Sequence, residues 1–141
     1  MTPEDVKLVQ ESFAKVAPQA DVAASMFYDR LFSVAPQVRA LFPQDMEVQR
    51  RKLMATLAAV VNGLGNLHAI LPAASALAKR HVQYGAEPAH YAVVGSALLW
   101  TLERGLGPQW TPDVAAAWAK AYATLADFMI AEAYGASEAA E

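Results

Sequence analysis

The sequence predicts an all-α protein, and three observations carry the prediction. Alanine supplies 31 of the 141 residues; it has the best intrinsic helix propensity and fills helix interfaces at little entropic cost. Apolar residues recur every three or four positions along most of the chain, as in Val6, Val9, Phe13 and Val16, the stripe expected of an amphipathic helix. No stretch reads as a strand.

Each helix has its own start and stop signals. Thr2 is a suitable N-cap, followed by Pro3 in the first turn and by Glu4 and Asp5, which complement the helix dipole. Pro18 closes this first helix. Asp21 can cap a second, with Val22, Met26, Phe27 and Leu31 as its apolar face. Pro36 opens a short turn of helix that ends near Leu41, Phe42 and Pro43. The fourth segment runs from about Met46 to Gly63, with Leu53, Leu57 and Val60 or Val61 inward. A Gly/Asn loop follows, then a short helix from Pro72 through His81 towards Gly85, a residue suited to the left-handed position after a helix end. Tyr91, Val94, Leu98, Leu99 and Leu102 mark the next helix, which Gly105, Gly107 and Pro108 break. Thr111, Pro112 and Asp113 start the last one, carrying Val114, Trp118, Tyr122, Leu125 and Met129. The residues after Gly135 are small or acidic and are expected to fray.

Composition narrows the chemistry. The net charge is −3, and the only basic cluster is Arg50, Arg51 and Lys52, too little for a nucleic-acid face. The absence of cysteine excludes disulfides, thiolate metal sites, a catalytic thiol and thioether-linked haem. The N-terminus has no basic region followed by a signal-type apolar run, so a cytoplasmic protein is expected. Leu53 to Ala78 carries no formal charge, but its continuous apolar run stops at Asn62, short of the roughly 20 residues a membrane span needs. No membrane partner is expected.

Three histidines are the candidate soft ligands. His68 lies in the polar loop, where solvation is the plain reading. His90 stands at a helix start, where packing or capping suffices. His81 follows Lys79 and Arg80 near a helix end, a usual place for basic residues. No two histidines have metal-ligand spacing, and no Gly-x-Ser-x-Gly, Walker or dinucleotide-binding glycine pattern occurs. A haem, however, needs only one proximal nitrogen and leaves its other face open to a gas.

The ordered set Phe27-Tyr28, Leu41-Phe42, Gln49, Lys52-Leu53-Met54, His81, His90-Tyr91-Ala92-Val93-Val94-Gly95 and Trp118-Ala119-Lys120-Ala121-Tyr122 resembles the bacterial globins. More narrowly, it resembles the globin domain of flavohaemoglobins and its single-domain relatives, from about Asp5 to Tyr134. The resemblance implies a globin fold of about six to seven helices around a non-covalently held, b-type haem, with residues 1–141 forming one domain. It also implies the site. His81 matches the proximal iron ligand, and Phe42 the phenylalanine on the haem edge. Tyr28 and Gln49 match the distal hydrogen-bonding pair, and Leu53 the apolar residue above the iron. Leu57, Leu77 and Val94 are expected to line the porphyrin, and Arg80 to meet a propionate. Tyr91 matches a tyrosine beside the proximal histidine, whereas the glutamate that accompanies it in flavohaemoglobins falls on Ala133, one residue after Glu132. His81 is therefore expected to donate chiefly to a backbone carbonyl near Leu77, and to be a weaker electron donor than in those relatives.

Two functions follow from the resemblance: reversible oxygen binding for storage, delivery or sensing, and nitric oxide dioxygenation. The second needs electrons, and because the sequence stops at Glu141 a separate reductase is the expected partner. A cofactor-free helical interaction module is the alternative from another class, and the colour of the purified protein separates them. The sequence leaves open whether the protein is a monomer or a homodimer.

Overall fold

The chain was analysed as a computed structural model that describes residues 1–135. Helices α1 (Pro3–Val16), α2 (Ala20–Val34), α3 (Glu47–Gly63), α4 (Leu67–Gln83), α5 (Pro88–Leu106) and α6 (Pro112–Ile130) follow one another with short 3-10 turns at every junction but that of α4 and α5, and a π-helical turn, Ala131–Gly135, follows α6. No strand occurs among the described residues.

The capping signals act largely as expected. Thr2 accepts from the Asp5 N–H at 3.1 Å while Asp5 accepts from the Thr2 N–H at 3.0 Å, so two donors that α1 leaves unpaired are satisfied reciprocally. Thr111 caps α6 by accepting from Val114 at 3.2 Å. Gly107, with φ +55°, ends α5, but Gly105 lies inside the helix rather than breaking it. Asp21 is not a cap: Gln19 holds that position without a side-chain bond, and Asp21 sits in the first turn. Val22 points out, 56% exposed, and Ala24, Phe27, Tyr28 and Leu31 form the buried face of α2 instead.

The largest departure concerns Pro72. Expected to start a helix, it lies inside α4, which begins at Leu67 after a 3-10 turn over Leu64–Asn66. His68 is thus helical, not in a loop. Proline there removes the N–H that would bond the His68 carbonyl, but Pro72 and His68 are both exposed, so water can take that acceptor. The apolar positions Leu67, Leu71 and Ala74 continue at helical spacing across the proline, and their packing overrides its poor propensity.

The packing is layered. α1 lies on α6, α2 on α5, and α5 on α6. Buried at the first of these contacts, Trp118 Nε1 donates to Ser12 Oγ at 2.8 Å, and Ser12 Oγ in turn donates to the Leu8 carbonyl at 2.7 Å. α3 leans on α2 and α1, with Gln10 donating to the Val61 carbonyl at 3.0 Å, whereas α4 leans on α6. Glu47–Gln83 is long and apolar enough, by length and composition, to cross a membrane. Within the fold, however, that stretch is two helices, broken at Leu64–Asn66 and packed on different neighbours.

α5 and α6 cross at Gly95, where an added Cβ would lie 2.5 Å from the Tyr122 ring. That approach brings the Tyr122 hydroxyl to the Tyr91 carbonyl, to which it donates at 2.6 Å. Gly95→Ala should therefore lose about 1–3 kcal/mol, the usual cost of overpacking a core, in urea unfolding. Unchanged stability would mean that the ring moves aside freely.

Candidate functional site

Two groups of side chains stand out, one on the α2–α3 side and one on α4 and the start of α5. On the first side Tyr28 is buried in α2. Its ring meets Phe27 edge-on at 4.9 Å, stacks with Phe32 at 5.8 Å, and meets Phe42 edge-on at 5.5 Å. Phe42 is the extended residue that closes the 3-10 turn Pro36–Leu41. Arg39 fixes that corner: it donates to the carbonyls of Pro43 at 2.9 Å and Gln44 at 3.0 Å and covers the Phe32 ring at 5.1 Å. Gln49, in the first turn of α3, donates to the Tyr28 hydroxyl oxygen at 3.1 Å.

The direction of that bond matters. An amide N–H is donating, so the tyrosine oxygen is the acceptor and its own proton is left to give elsewhere. Burial pushes the Tyr28 pKa up, with the Gln49 bond a smaller opposing influence. Tyr28 is thus a neutral hydroxyl donor in a largely dry setting.

On the second side the end of α4 is closed by a Schellman turn. Ala86 N–H bonds the His81 carbonyl at 2.9 Å and Gly85 N–H bonds the Val82 carbonyl at 3.0 Å, with Gly85 at φ +93°. One turn back, His81 Nδ1 lies 2.7 Å from the Leu77 carbonyl. A carbonyl can only accept, so Nδ1 carries the proton, and Nε2 has no hydrogen-bond partner among the described residues. The Tyr91 ring lies 6.4 Å from the imidazole. Its hydroxyl is the one buried side-chain polar atom without a partner among the described residues, and burial raises its pKa, with Tyr134 adding to the shift.

The expected site residues divide between two cores. Tyr28 is part of the larger one, and Phe42, Leu53, Leu57 and Val94 pack against it. Tyr91 belongs to the smaller one, where Leu77 and Ala133 pack. Tyr122 packs on both. No ring contact or hydrogen bond joins the Tyr28–Gln49 group to the His81 group among the described residues. Arg80 is exposed and joins neither. Glu132 is exposed too, and Ala133 takes the inward position. His90 is spent as a cap: its Nδ1 accepts from the Glu87 N–H at 3.0 Å. Groups of three or more acidic, histidine or cysteine side chains placed to hold a metal are absent among the described residues.

The sequence reading missed the parts played by Phe32 and Tyr134, and it placed Tyr122 only on the apolar face of the last helix. Phe32 was detectable, one helical turn from Tyr28. The role of Tyr122 depends on a crossing at Gly95 that no local pattern signals. Tyr134 donates to the Ala86 carbonyl from the π-helical turn, a geometry the sequence does not announce.

The His81 geometry has a spectroscopic consequence. In the neutral side chain, nitrogen-15 spectra should show His81 protonated at Nδ1 and bare at Nε2. The opposite tautomer would mean that the Leu77 bond is not formed.

Comparison with known proteins places the chain. The family model described as Globin matches residues 25–129. A flavohemoprotein of Rhodopirellula baltica is 32% identical over 133 residues, 92% of this chain and 33% of the relative. One from Bacillus subtilis is 28% identical over 128 residues, 89% of this chain and 32% of the relative. The chain thus spans about a third of the length of the curated relatives it matches. Among solved structures, a candidate nitric oxide dioxygenase from Rhodothermus marinus, engineered as a carbene transferase, superposes with a TM-score of 0.85 at 27% identity, covering 100% of this chain and 99% of that one. A bacterial globin from Campylobacter jejuni gives 0.85 at 22% identity, covering 97% and 99%, a likeness of fold alone.

Proposed function

The chain belongs to the globin family, and we propose that it holds a b-type haem between α3 and α4 and binds oxygen reversibly, for storage, delivery or sensing. Globin and flavohemoprotein relatives imply the haem. The residues present fit it: a neutral imidazole with Nε2 bare, the half-buried apolar residues Leu53, Leu57, Leu77 and Val94, and an aromatic corner at Phe42. With no cysteine in the chain, such a haem is held by packing and by His81 rather than by thioether links. Arg80 is the cation we assign to a propionate. When bound, the haem supplies an iron whose open face takes up a diatomic gas.

The observation that carries the oxygen reading is the Gln49-to-Tyr28 bond. Gln49 occupies the tyrosine oxygen, so the phenolic proton is left to meet a ligand with partial negative charge. Oxygen gains more from such a donor than carbon monoxide does. A hydrogen bond to a charged group contributes about 1.5–3 kcal/mol, roughly tenfold to a hundredfold in affinity.

Tyr28→Phe, which keeps the ring and removes the proton, should raise the oxygen dissociation rate by about ten- to a hundredfold, and Gln49→Leu by less. If neither changes it in stopped-flow records, Tyr28 is not the donor. His81→Ala should lose haem or hold it weakly; unchanged haem content and ferrous spectrum would move the ligand to another histidine.

A second reading, nitric oxide dioxygenation with a separate reductase, is favoured by the likeness to the Rhodothermus marinus protein. Under it, the oxygen-saturated protein mixed with stoichiometric nitric oxide should yield nitrate rapidly, and sustained turnover should need an added electron donor. Slow reaction in that mixture would leave oxygen binding as the function.

A further inference from the structure

Trp100 of α5 carries two arginines. The guanidinium carbon of Arg30, from α2, lies 4.9 Å from the ring centroid, and that of Arg104, one turn on in α5, lies 4.7 Å from it. A cation gains about 0.5–1 kcal/mol over an indole face at an exposed site, and that attraction holds two like charges together here. None of the three side chains points into the core. Buried Tyr28 stands two positions before Arg30, and buried Leu98 and Leu102 flank Trp100 at the same spacing, about 200° round each helix.

What the cluster lacks is an acceptor. Neither guanidinium, nor the Trp100 indole N–H, has a hydrogen-bond or ion-pair partner among the described residues, and all three can only donate. The carboxylates next in sequence, Asp29 and Glu103, are each turned about 100° away. Arg39 makes the contrast. It too covers a ring, that of Phe32 at 5.1 Å, but it donates to the Pro43 and Gln44 carbonyls and so ties down a corner of the fold. Beside the arginine pair opens a hollow of about 80 Å³. Thr101 and Gly105, next in sequence to Trp100 and Arg104, line it from α5, and Met26, one turn before Arg30, lines it from α2. Val16 and Val22 add aliphatic surface, and Val22 is exposed. The Thr101 hydroxyl already donates to the Ala97 carbonyl at 2.9 Å. Lys15, a third cation without an ion pair among the described residues, completes the lining with Gln19.

We propose that this corner of α2 and α5 is a binding site for a phosphate monoester with a short aliphatic group, the phosphate on Arg30 and Arg104 and the hydrocarbon in the hollow. Charge decides the anion. A phosphate monoester carries about −1.5 to −2 at pH 7 and three acceptor oxygens, which suits two guanidiniums that each offer a planar fork of donors. A carboxylate brings one charge and fills one fork. The exposed methyls of Val22 and the thioether of Met26 gain by leaving water against a hydrocarbon group. The site needs no haem.

Isobutyl phosphate is the probe, compared with inorganic phosphate, which lacks the hydrocarbon, and with isovalerate, which puts a carboxylate on the same hydrocarbon. Each is titrated against sodium chloride of equal ionic strength, because exposed charges are screened by salt. Isobutyl phosphate should shift the Trp100 indole N–H signal and the Val22 and Met26 methyl signals saturably, while the indole signal of buried Trp118 stays still. Inorganic phosphate should move the Trp100 signal alone and bind severalfold more weakly, and isovalerate should bind more weakly than isobutyl phosphate by a similar factor. Arg30→Gln and Arg104→Gln should each weaken isobutyl phosphate severalfold and together abolish the shifts. Arg30→Lys and Arg104→Lys, which keep the charge and lose the fork, should fall between. Shifts that sodium chloride reproduces, or that survive the double substitution, overturn the site. Isovalerate binding as tightly as isobutyl phosphate overturns the choice of phosphate, and inorganic phosphate binding as tightly overturns the part given to the hollow.

Discussion

A helical carbonyl is already engaged by the N–H four residues on, so the bond from His81 Nδ1 gives the Leu77 carbonyl a second donor. That shared acceptor governs the chemistry at this end of α4. It sets the imidazole's plane and tautomer, and it leaves Nε2 without a hydrogen-bond partner among the described residues. It is also a neutral acceptor. Hydrogen bonds to a carboxylate are roughly twice as strong as neutral ones, and such partners raise the basicity of a ligating histidine. Here Glu132 is exposed, Ala133 faces inward, and Tyr134 spends its proton on the Ala86 carbonyl. A strongly donating proximal ligand favours O–O cleavage; a neutral imidazole on a carbonyl suits reversible binding.

The Tyr28 group is built by different means and belongs to a different core. Tyr28 is held by three aromatic neighbours and by Gln49, and Arg39 ties down the corner that brings Phe42 to it. α3 leans mainly on α2 and α1 and α4 mainly on α6, and the two helices meet directly near the turn between them, where Gly63 approaches Ile70. Tyr122, packed on both cores and bonded to the Tyr91 carbonyl, is the side chain that relates them. Its approach depends on Gly95 having no side chain. The two cores are thus related to each other at the α5–α6 crossing.

Much of this was legible in the sequence because it is local. Caps at Thr2 and Thr111, the stop at Gly107 and the left-handed Gly85 depend on backbone chemistry within a few residues. The proposed site residues were nominated by their order along the chain, not by any one motif, and the structure brings Tyr28, Phe42 and Gln49 together. Pro72 misled because its propensity argues for a helix start, whereas the apolar stripe of α4 continues through it. Val22 misled because α2 turns Ala24 and Tyr28 inward. The Gly95–Tyr122 contact and the separation of the site into two cores arise from helix crossings between residues far apart in sequence, and no periodicity reveals those.

Resonance Raman spectroscopy of the deoxygenated ferrous protein reads His81, the proposed proximal ligand, through its iron–histidine stretch. With His81 neutral and donating to the Leu77 carbonyl, the frequency should lie in the range of an ordinary neutral imidazole and be the same in Glu132→Gln. A high frequency of imidazolate type that falls in Glu132→Gln would contradict it, placing a carboxylate on His81 where the structure places a carbonyl.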